Sequence, residues 1–169
     1  FLACLCDTFD GKIARSNPNR TPHEKFFGVQ LDSLCDTVSF GVTPCVIAFN
    51  FGFDGWFDVL VYCFFIACGT IRLAYFNVDE AQRQKTETGR RKTYYGLPVT
   101  TAALIFPLIF GLKSLLGGAM PVIYQIALYG VAAAFILKFK LPKPDKKGIP
   151  ALVVIGLAIL VLVIVSGLK

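Results

Sequence analysis

Four aspartates in otherwise apolar segments are the residues whose types and spacing could do chemistry. They are Asp7, Asp10, Asp32 and Asp36. A carboxylate inside a membrane costs about 2.5 kcal/mol or more, so four of them close together require a compensating partner. Spacings of three and four residues put each pair on one face of a helix, so two neighbouring helices can present all four carboxylates to a divalent cation. The sequence therefore predicts a metal site formed by these four side chains.

Residues with little or no side chain accompany the aspartates at helical spacing. Gly11 and Ala14 each follow one of the first two aspartates by one turn, and Gly28 precedes Asp32 by one turn. Such positions leave a slot beside the cation that suits a flat base and a diphosphate whose charge the metal neutralises. Oxygen-only ligands favour Mg²⁺, Mn²⁺ or Ca²⁺ over Zn²⁺, and a carboxylate cluster can hold two ions that clamp a phosphoryl group. Phosphoryl transfer is therefore the chemistry that we expect.

Two other interpretations of the aspartates are open from the residues alone. The carboxylates could line an ion pathway in a cation channel or transporter. They could also pair with nearby cations as buried salt bridges, the candidates being Lys12, Arg15, Arg20 and Arg72. Salt bridges do not require two pairs of aspartates at helical spacing with glycines beside them. This pattern therefore favours the metal site.

The elements that must carry these residues are membrane helices. The chain has 169 residues, of which 55% are hydrophobic, and its mean hydropathy of +0.63 is too high for a soluble domain. Since a spanning helix needs about 20 mostly apolar residues, we predict an all-α polytopic transmembrane bundle, one domain over residues 1–169. It has about six helices. The first, over residues 1–15, is partial, so we expect further residues upstream. The others lie at 24–49, 56–78, 97–116, 120–138 and 150–167.

Basic residues mark alternate connections between the predicted helices. Of the 17 Lys and Arg residues, four lie around the first connection, five in the third and five in the fifth, whereas the second and fourth hold one lysine between them. The positive-inside rule assigns the three basic connections to the cytoplasmic side of a cell membrane, and the aspartates lie toward that side. The net charge of +6 comes mostly from these basic connections, and it favours attraction to anionic lipid headgroups. It gives no support to nucleic-acid binding, which needs a basic soluble face.

Local signals predict where the second helix begins and where it is irregular. Thr21, Pro22 and Glu24 form the pattern of a capping box with a proline at the first helical position, so the helix starts near Pro22. Pro44 lies inside the same helix and removes one backbone hydrogen bond, which predicts a kink. We expect a polar loop over residues 80–93.

The two halves of the aspartate pattern, D-x-x-D-G-x-x-A-R over residues 7–15 and G-x-x-x-D-x-x-x-D over residues 28–36, resemble the signature of the CDP-alcohol phosphotransferases. Enzymes of that family are integral to the membrane, often homodimeric, and displace CMP from a CDP-linked lipid with an alcohol. The resemblance implies particular roles. These are metal ligation by Asp7, Asp10 and Asp32, metal ligation and general base catalysis by Asp36, lining of the cytidine slot by Gly11, Ala14 and Gly28, and contact with the nucleotide by Arg15.

The connection between the two halves is longer than the family more usually has, since twelve residues separate Arg15 from Gly28. Both halves are intact and the added length falls in a connection rich in Pro and Asn. We therefore expect the site to be retained and the loop to differ.

Three further segments resemble the phosphatidylserine synthase branch of the family, namely residues 31–44, 72–77 and 96–103. That branch implies CDP-diacylglycerol as donor and L-serine as acceptor. Arg72 lies about one turn inside the predicted boundary, where it could extend to the headgroups or bind an anion. Together with Asn77 it is a candidate for binding the serine carboxylate or a substrate phosphate. The nearest alternative is a family member that uses inositol phosphate, glycerol phosphate or choline.

Overall fold

Most of the residues that the structure describes are helical. The structure is a computed structural model, and it describes residues 19–86, 93–142 and 148–167 and, before residue 19, only Ala3, Cys6, Phe9, Ile13, Ala14, Ser16 and Asn17. Those early residues are helical as far as Ser16, in agreement with the predicted partial helix. In chain order the further elements are α1 (Pro22–Asp36), a π-helical segment (Thr37–Val42), α2 (Thr43–Asn50), α3 (Trp56–Thr86), β1 (Thr93–Tyr95), a 3-10 turn (Val99–Thr101), α4 (Ala102–Gly111), α5 (Lys113–Leu116), a second 3-10 turn (Gly117–Ala119), α6 (Met120–Ile136), β2 (Lys140–Pro142) and α7 (Gly148–Gly167).

Three helical stretches in the described part of the chain have the length and apolar composition needed to cross a membrane. They are Pro22–Asn50, Trp56–Arg83 and Lys113–Ile136. Two shorter apolar helices cover Val99–Gly111 and Val153–Gly167. The chain is therefore an all-α membrane protein, and this part of the sequence-based prediction is confirmed.

Two predicted boundaries were wrong. The loop expected from residue 80 begins later, because α3 continues to Thr86 with Arg83 paired to Glu80 one turn earlier and basic residues in its last turn, which complement the helix dipole. Residues 87–92 of that predicted loop lie outside the described residues. The helix predicted over 97–116 ends at Gly111, because Leu112 leaves the helical conformation, and the short α5 leads toward α6 instead.

A two-stranded antiparallel ribbon, which the sequence did not predict, joins the start of the α4 region to the end of α6. β1 pairs with β2 so that Tyr95 lies opposite Lys140. The Gly96 amide extends the pairing by donating to the Phe139 carbonyl at 2.6 Å. Gly96 has a φ of +78°, and a Cβ there would lie 2.8 Å from the Leu137 carbonyl oxygen. Only glycine fits this position without strain.

Aromatic side chains fill the core between α2, α3, α4 and α6. The ring of Phe65 lies 5.8 Å from that of Phe106 and 5.6 Å from that of Phe135. Tyr124, almost fully buried, lies 4.9 Å from Phe106, and its hydroxyl donates to the Pro44 carbonyl at 3.2 Å. Buried aromatic pairs of this kind favour one arrangement of the helices. The core therefore fixes α3 relative to the segment that follows the aspartates.

Just before Pro44, where a kink was predicted, the structure has the π-helical segment Thr37–Val42. The Thr43 amide donates to the Val38 carbonyl, five residues earlier, and the Thr43 hydroxyl donates to the same oxygen at 3.2 Å. Wide turns of this kind are common near functional sites. Here the segment begins directly after Asp36.

Candidate active site

The helix that carries the second pair of aspartates begins where the sequence predicted. The Glu24 amide donates to the Thr21 hydroxyl at 3.2 Å, and the Thr21 amide donates to the Glu24 carboxylate at 2.7 Å, with Pro22 at the first helical position. An N-terminal cap of this kind stabilises a helix by about 0.5–2 kcal/mol. It fixes the start of α1, and thus the positions along it of Asp32 and Asp36.

Asp32 and Asp36 lie one turn apart near the end of α1. Asp36 is 8% exposed, whereas Asp32 is exposed. Asp7 and Asp10 lie outside the described residues, and within the described ranges the structure holds no group of three or more side chains able to bind a metal. The donors that are described fit a hard divalent cation, because both are carboxylates on adjoining turns of one helix. The described half of the predicted ligand set is therefore compatible with Mg²⁺ or Mn²⁺.

A hydrogen bond links α3 to α1 at Ser33, which lies between Asp32 and Asp36 in the sequence. The Asn77 amide nitrogen donates to the Ser33 hydroxyl at 2.7 Å, and that hydroxyl donates to the Val29 carbonyl at 3.1 Å. One turn further on, the Thr37 hydroxyl donates to the Ser33 carbonyl at 2.9 Å. Asn77, predicted as a substrate-binding residue, thus lies at the level of the aspartates.

Arg72, the other residue predicted to bind substrate, is anchored inside the bundle. Its side chain is 7% exposed, and it donates from Nε to the Leu97 carbonyl at 2.9 Å and from Nη2 to the Gly96 carbonyl at 3.2 Å. It therefore does not extend to the lipid headgroups. These contacts connect α3 to the segment that leads into α4, which packs against the π-helical segment.

Two of the predicted small residues line one open groove. Ala14 and Gly28 both contribute to a groove of about 590 Å³ between the end of the first helical stretch and the first turns of α1. Gly11 and Arg15 lie outside the described residues. The structure thus brings together the described small residues from both halves of the motif.

Sequence reasoning assigned no site role to Arg20, which lines the same groove. Its guanidinium donates to the carbonyl of Ala14 at 3.2 Å and to the carbonyl of Glu24 at 3.0 Å. The signal that could have found it is the unusual length of the connection after Arg15, since added residues near a motif can contribute side chains to it.

The fold and the site together define a membrane protein in which Asp32 and Asp36 lie on the same helix as Gly28, and in which Gly28 borders a groove that Ala14 also lines. The family model described as CDP-alcohol phosphatidyltransferase matches residues 1–137, and the chain belongs to this family. The resemblance seen in the two halves of the motif is thereby confirmed.

Several curated relatives share the part of the chain that contains the motif. A protein of Saccharomyces cerevisiae named CDP-diacylglycerol--serine O-phosphatidyltransferase is 47% identical over 111 residues, which cover 64% of this chain and 39% of that protein. A protein of the same name from Helicobacter pylori is 36% identical over 60% of this chain and 39% of the relative. An archaetidylserine synthase of Methanothermobacter thermautotrophicus is 32% identical over 87% of this chain and 58% of the relative. The matches thus span about 40–60% of each of these relatives.

Proposed function

We propose that the chain is a phosphatidylserine synthase, which transfers the phosphatidyl group of CDP-diacylglycerol to L-serine and releases CMP. The observation that carries the proposal is the coincidence of the family motif with a buried carboxylate, Asp36, at the end of a capped helix. The choice of serine as acceptor is supported by the printed names of the yeast and Helicobacter relatives.

The proposed cofactor is a divalent cation, Mg²⁺ or Mn²⁺, with two ions held by the four aspartates of the motif. Asp32 and Asp36 supply carboxylates on adjoining turns of α1, and we assign the remaining positions to Asp7 and Asp10. When bound, such ions neutralise charge on the diphosphate during displacement.

The chain's own residues would perform the proton transfer and the positioning. In the proposed reaction, the carboxylate of Asp36 accepts the proton of the serine hydroxyl. The hydroxyl oxygen forms a bond to the lipid-side phosphorus of CDP-diacylglycerol, and the bond from that phosphorus to the bridging oxygen breaks, so that CMP leaves. The hydrogen bond between Asn77 and Ser33 holds α3 beside the helix that carries the base.

The nucleotide and the acceptor are assigned to different residues. We propose that the cytidine lies against Gly11, Ala14 and Gly28, with Arg15 near the phosphates; Ala14 and Gly28 lining one groove supports this. We propose that Arg72 and Asn77 bind the serine carboxylate or a substrate phosphate. Because the Asn77 amide nitrogen is bound to Ser33, its amide oxygen is the atom we assign to substrate.

The proposed setting is a cell membrane with the active site toward the cytoplasm. The basic connections support this orientation, and it lets soluble serine reach a lipid-linked donor whose acyl chains stay in the bilayer. The partners are then CDP-diacylglycerol, L-serine and the surrounding lipids, and by family analogy a second copy of the chain in a homodimer.

The test uses the purified chain in mixed micelles with CDP-diacylglycerol and Mn²⁺ or Mg²⁺. Serine, inositol phosphate, glycerol phosphate and choline are supplied separately, and the released CMP is measured. We expect release that depends on serine and on the divalent ion. Release only with another alcohol would replace the acceptor and keep the family chemistry. Ion flux into liposomes without any CMP release would instead support a transporter.

A further inference from the structure

The residue that carries this inference, Arg20, lies in the long connection between the two halves of the motif. It directly precedes the capping box of α1, so the position of its backbone is fixed by the cap. The Glu24 carboxylate binds the amide and the hydroxyl of Thr21, at 2.7 and 2.9 Å. The guanidinium of Arg20 therefore meets the Glu24 backbone carbonyl, at 3.0 Å, instead of that carboxylate.

The same guanidinium reaches across to the other half of the motif. Its Nη1 donates to the Ala14 carbonyl at 3.2 Å, whereas Nη2 is the atom bound to Glu24. A planar guanidinium can bridge two acceptors in this way because its donors lie in a rigid fork. Arg20 thus joins the end of the first helical stretch to the first turn of α1.

The end of the Arg20 side chain also lies directly beside Gly28. A Cβ at Gly28 would lie 2.8 Å from Nη2 of Arg20, closer than such contacts occur. The guanidinium therefore lies next to Gly28, and both border the same groove as Ala14 and Asn17. One hydrogen bond to Ala14 and one close approach to Gly28 link Arg20 to the small residues of both motif halves, and a second hydrogen bond holds it to Glu24 in the first turn of α1.

We propose that Arg20 is a positioning residue that sets the spacing of the Ala14 and Gly28 backbones, and through it the affinity of the groove for the nucleotide part of the donor. This inference rests on the proposed function, in which these small residues border the cytidine. It gives the long connection between Arg15 and Gly28 a role in donor binding. The proposed role of Arg20 does not involve the acceptor alcohol. Substitution of Arg20 should therefore change the KM for CDP-diacylglycerol and leave the KM for serine unchanged.

The test compares Arg20→Lys and Arg20→Gln with the unaltered chain in detergent micelles. Lysine keeps the charge but donates from a single point and cannot span both carbonyls. We measure the Kd for CDP, the KM for CDP-diacylglycerol, the KM for serine and the thermal midpoint. Lys25→Ala is the matched control, since Lys25 is exposed near the start of α1 and does not line the groove.

For both Arg20 variants we expect the Kd for CDP and the KM for CDP-diacylglycerol to rise about five- to tenfold, a change of roughly 1 kcal/mol. The KM for serine should not change, and the thermal midpoint should change little, because the hydrogen bonds of Arg20 are only partly buried or exposed. Wild-type affinity for CDP in Arg20→Lys would mean that charge alone suffices and would overturn the inference. A proportional rise in the KM for serine, or a loss of CDP affinity that follows a lower thermal midpoint, would overturn it as well.

The proposed function can fail separately in this experiment. If the unaltered chain binds CDP but releases no CMP with serine, the acceptor assignment is wrong, while the Kd for CDP in the Arg20 variants still tests the positioning role.

Discussion

The two ends of the helical bundle each bury polar side chains in an apolar setting, and they satisfy them differently. At the motif end, the buried Arg72 donates to two backbone carbonyls of the segment before α4. At the far end, the Gln125 amide nitrogen donates to Asp58 at 2.7 Å, while its amide oxygen, equally buried, has no partner among the described residues. Arg72 and Asp58 belong to the same helix, α3, about 21 Å apart along its axis.

The proposed function places the active site at the motif end, so the two ends should respond differently to substitution. A buried acceptor without a partner costs about 1–3 kcal/mol, and the far end carries that cost beside a single side-chain pair. At the motif end, contacts from α3 reach both the backbone before α4 and, through Asn77, the helix that carries Asp36. We therefore expect substitutions at the motif end to alter turnover or substrate affinity, and substitutions at the far end to alter stability alone.

The largest effect should come from Asp36→Asn. The amide keeps the size of the side chain but cannot accept the serine proton, so we expect kcat to fall by about 10²- to 10⁴-fold. CMP release by the purified variant measures it, with the thermal midpoint as a check on folding. Asp54→Asn is the control, since Asp54 is exposed at the far end. A kcat close to that of the unaltered chain would remove Asp36 from the mechanism.

Arg72→Lys should affect both stability and substrate binding. A lysine cannot serve the carbonyls of Gly96 and Leu97 together, so we expect the free energy of unfolding to fall by about 1–3 kcal/mol. We also expect the KM for serine to rise more than the KM for CDP-diacylglycerol. Steady-state kinetics and thermal melting in micelles test this. Arg83→Lys, which alters a more exposed pair on the same helix, should change stability by less than about 1 kcal/mol; equal effects would contradict the contrast.

At the far end, Asp58→Ala removes the acceptor for Gln125 and leaves a buried amide with neither group paired. We expect the free energy of unfolding to fall by about 1–3 kcal/mol, with kcat per folded molecule unchanged. Adding Gln125→Leu should recover most of the loss, because the unpaired amide is then gone. A double variant less stable than Asp58→Ala would show that the amide has a further partner.

The smallest effects should come from the Asn77–Ser33 hydrogen bond. Asn77→Ala and Ser33→Ala should each lower stability slightly, with a coupling energy of about 0.6 kcal/mol in a double-mutant cycle, the average for such bonds in membranes. Only Asn77→Ala should also raise the KM for serine, since its amide oxygen is the proposed contact. If Ser33→Ala raised that KM equally, the role of Asn77 would be to hold the helices.

Features that depend on a few neighbouring residues could be predicted from the sequence. The cap formed by Thr21 and Glu24 is a local pattern, and the structure has it as expected. A kink was predicted near Pro44 because a proline removes a hydrogen bond, but the π-helical segment before it, which packs against α3, was not predicted. The family was recognised because the residues at positions 7–15 and 28–36 resemble a known signature, which lies within two short segments.

Features that join distant segments could not be predicted. The partners of Arg72 lie 24 and 25 residues further along the chain, and no local pattern connects them. β1 and β2 have three residues each, too few for an alternating pattern to indicate a strand. The sequence offered Arg20 only as a basic residue of a connection and as a candidate ion-pair partner of the aspartates, because its bridging role depends on how the chain turns back past Ala14.

The π-helical segment has a consequence for how one long helix serves two purposes. Each wide turn accommodates an additional residue, so the side chains after it are rotated by about 100° relative to an uninterrupted α-helix. Asp36 precedes the segment, whereas the buried Cys45 and Ala48 follow it in the aromatic core. Shortening residues 37–42 by one would bring the two halves back into register, and the carboxylates and the core-facing residues could then no longer both meet their present neighbours.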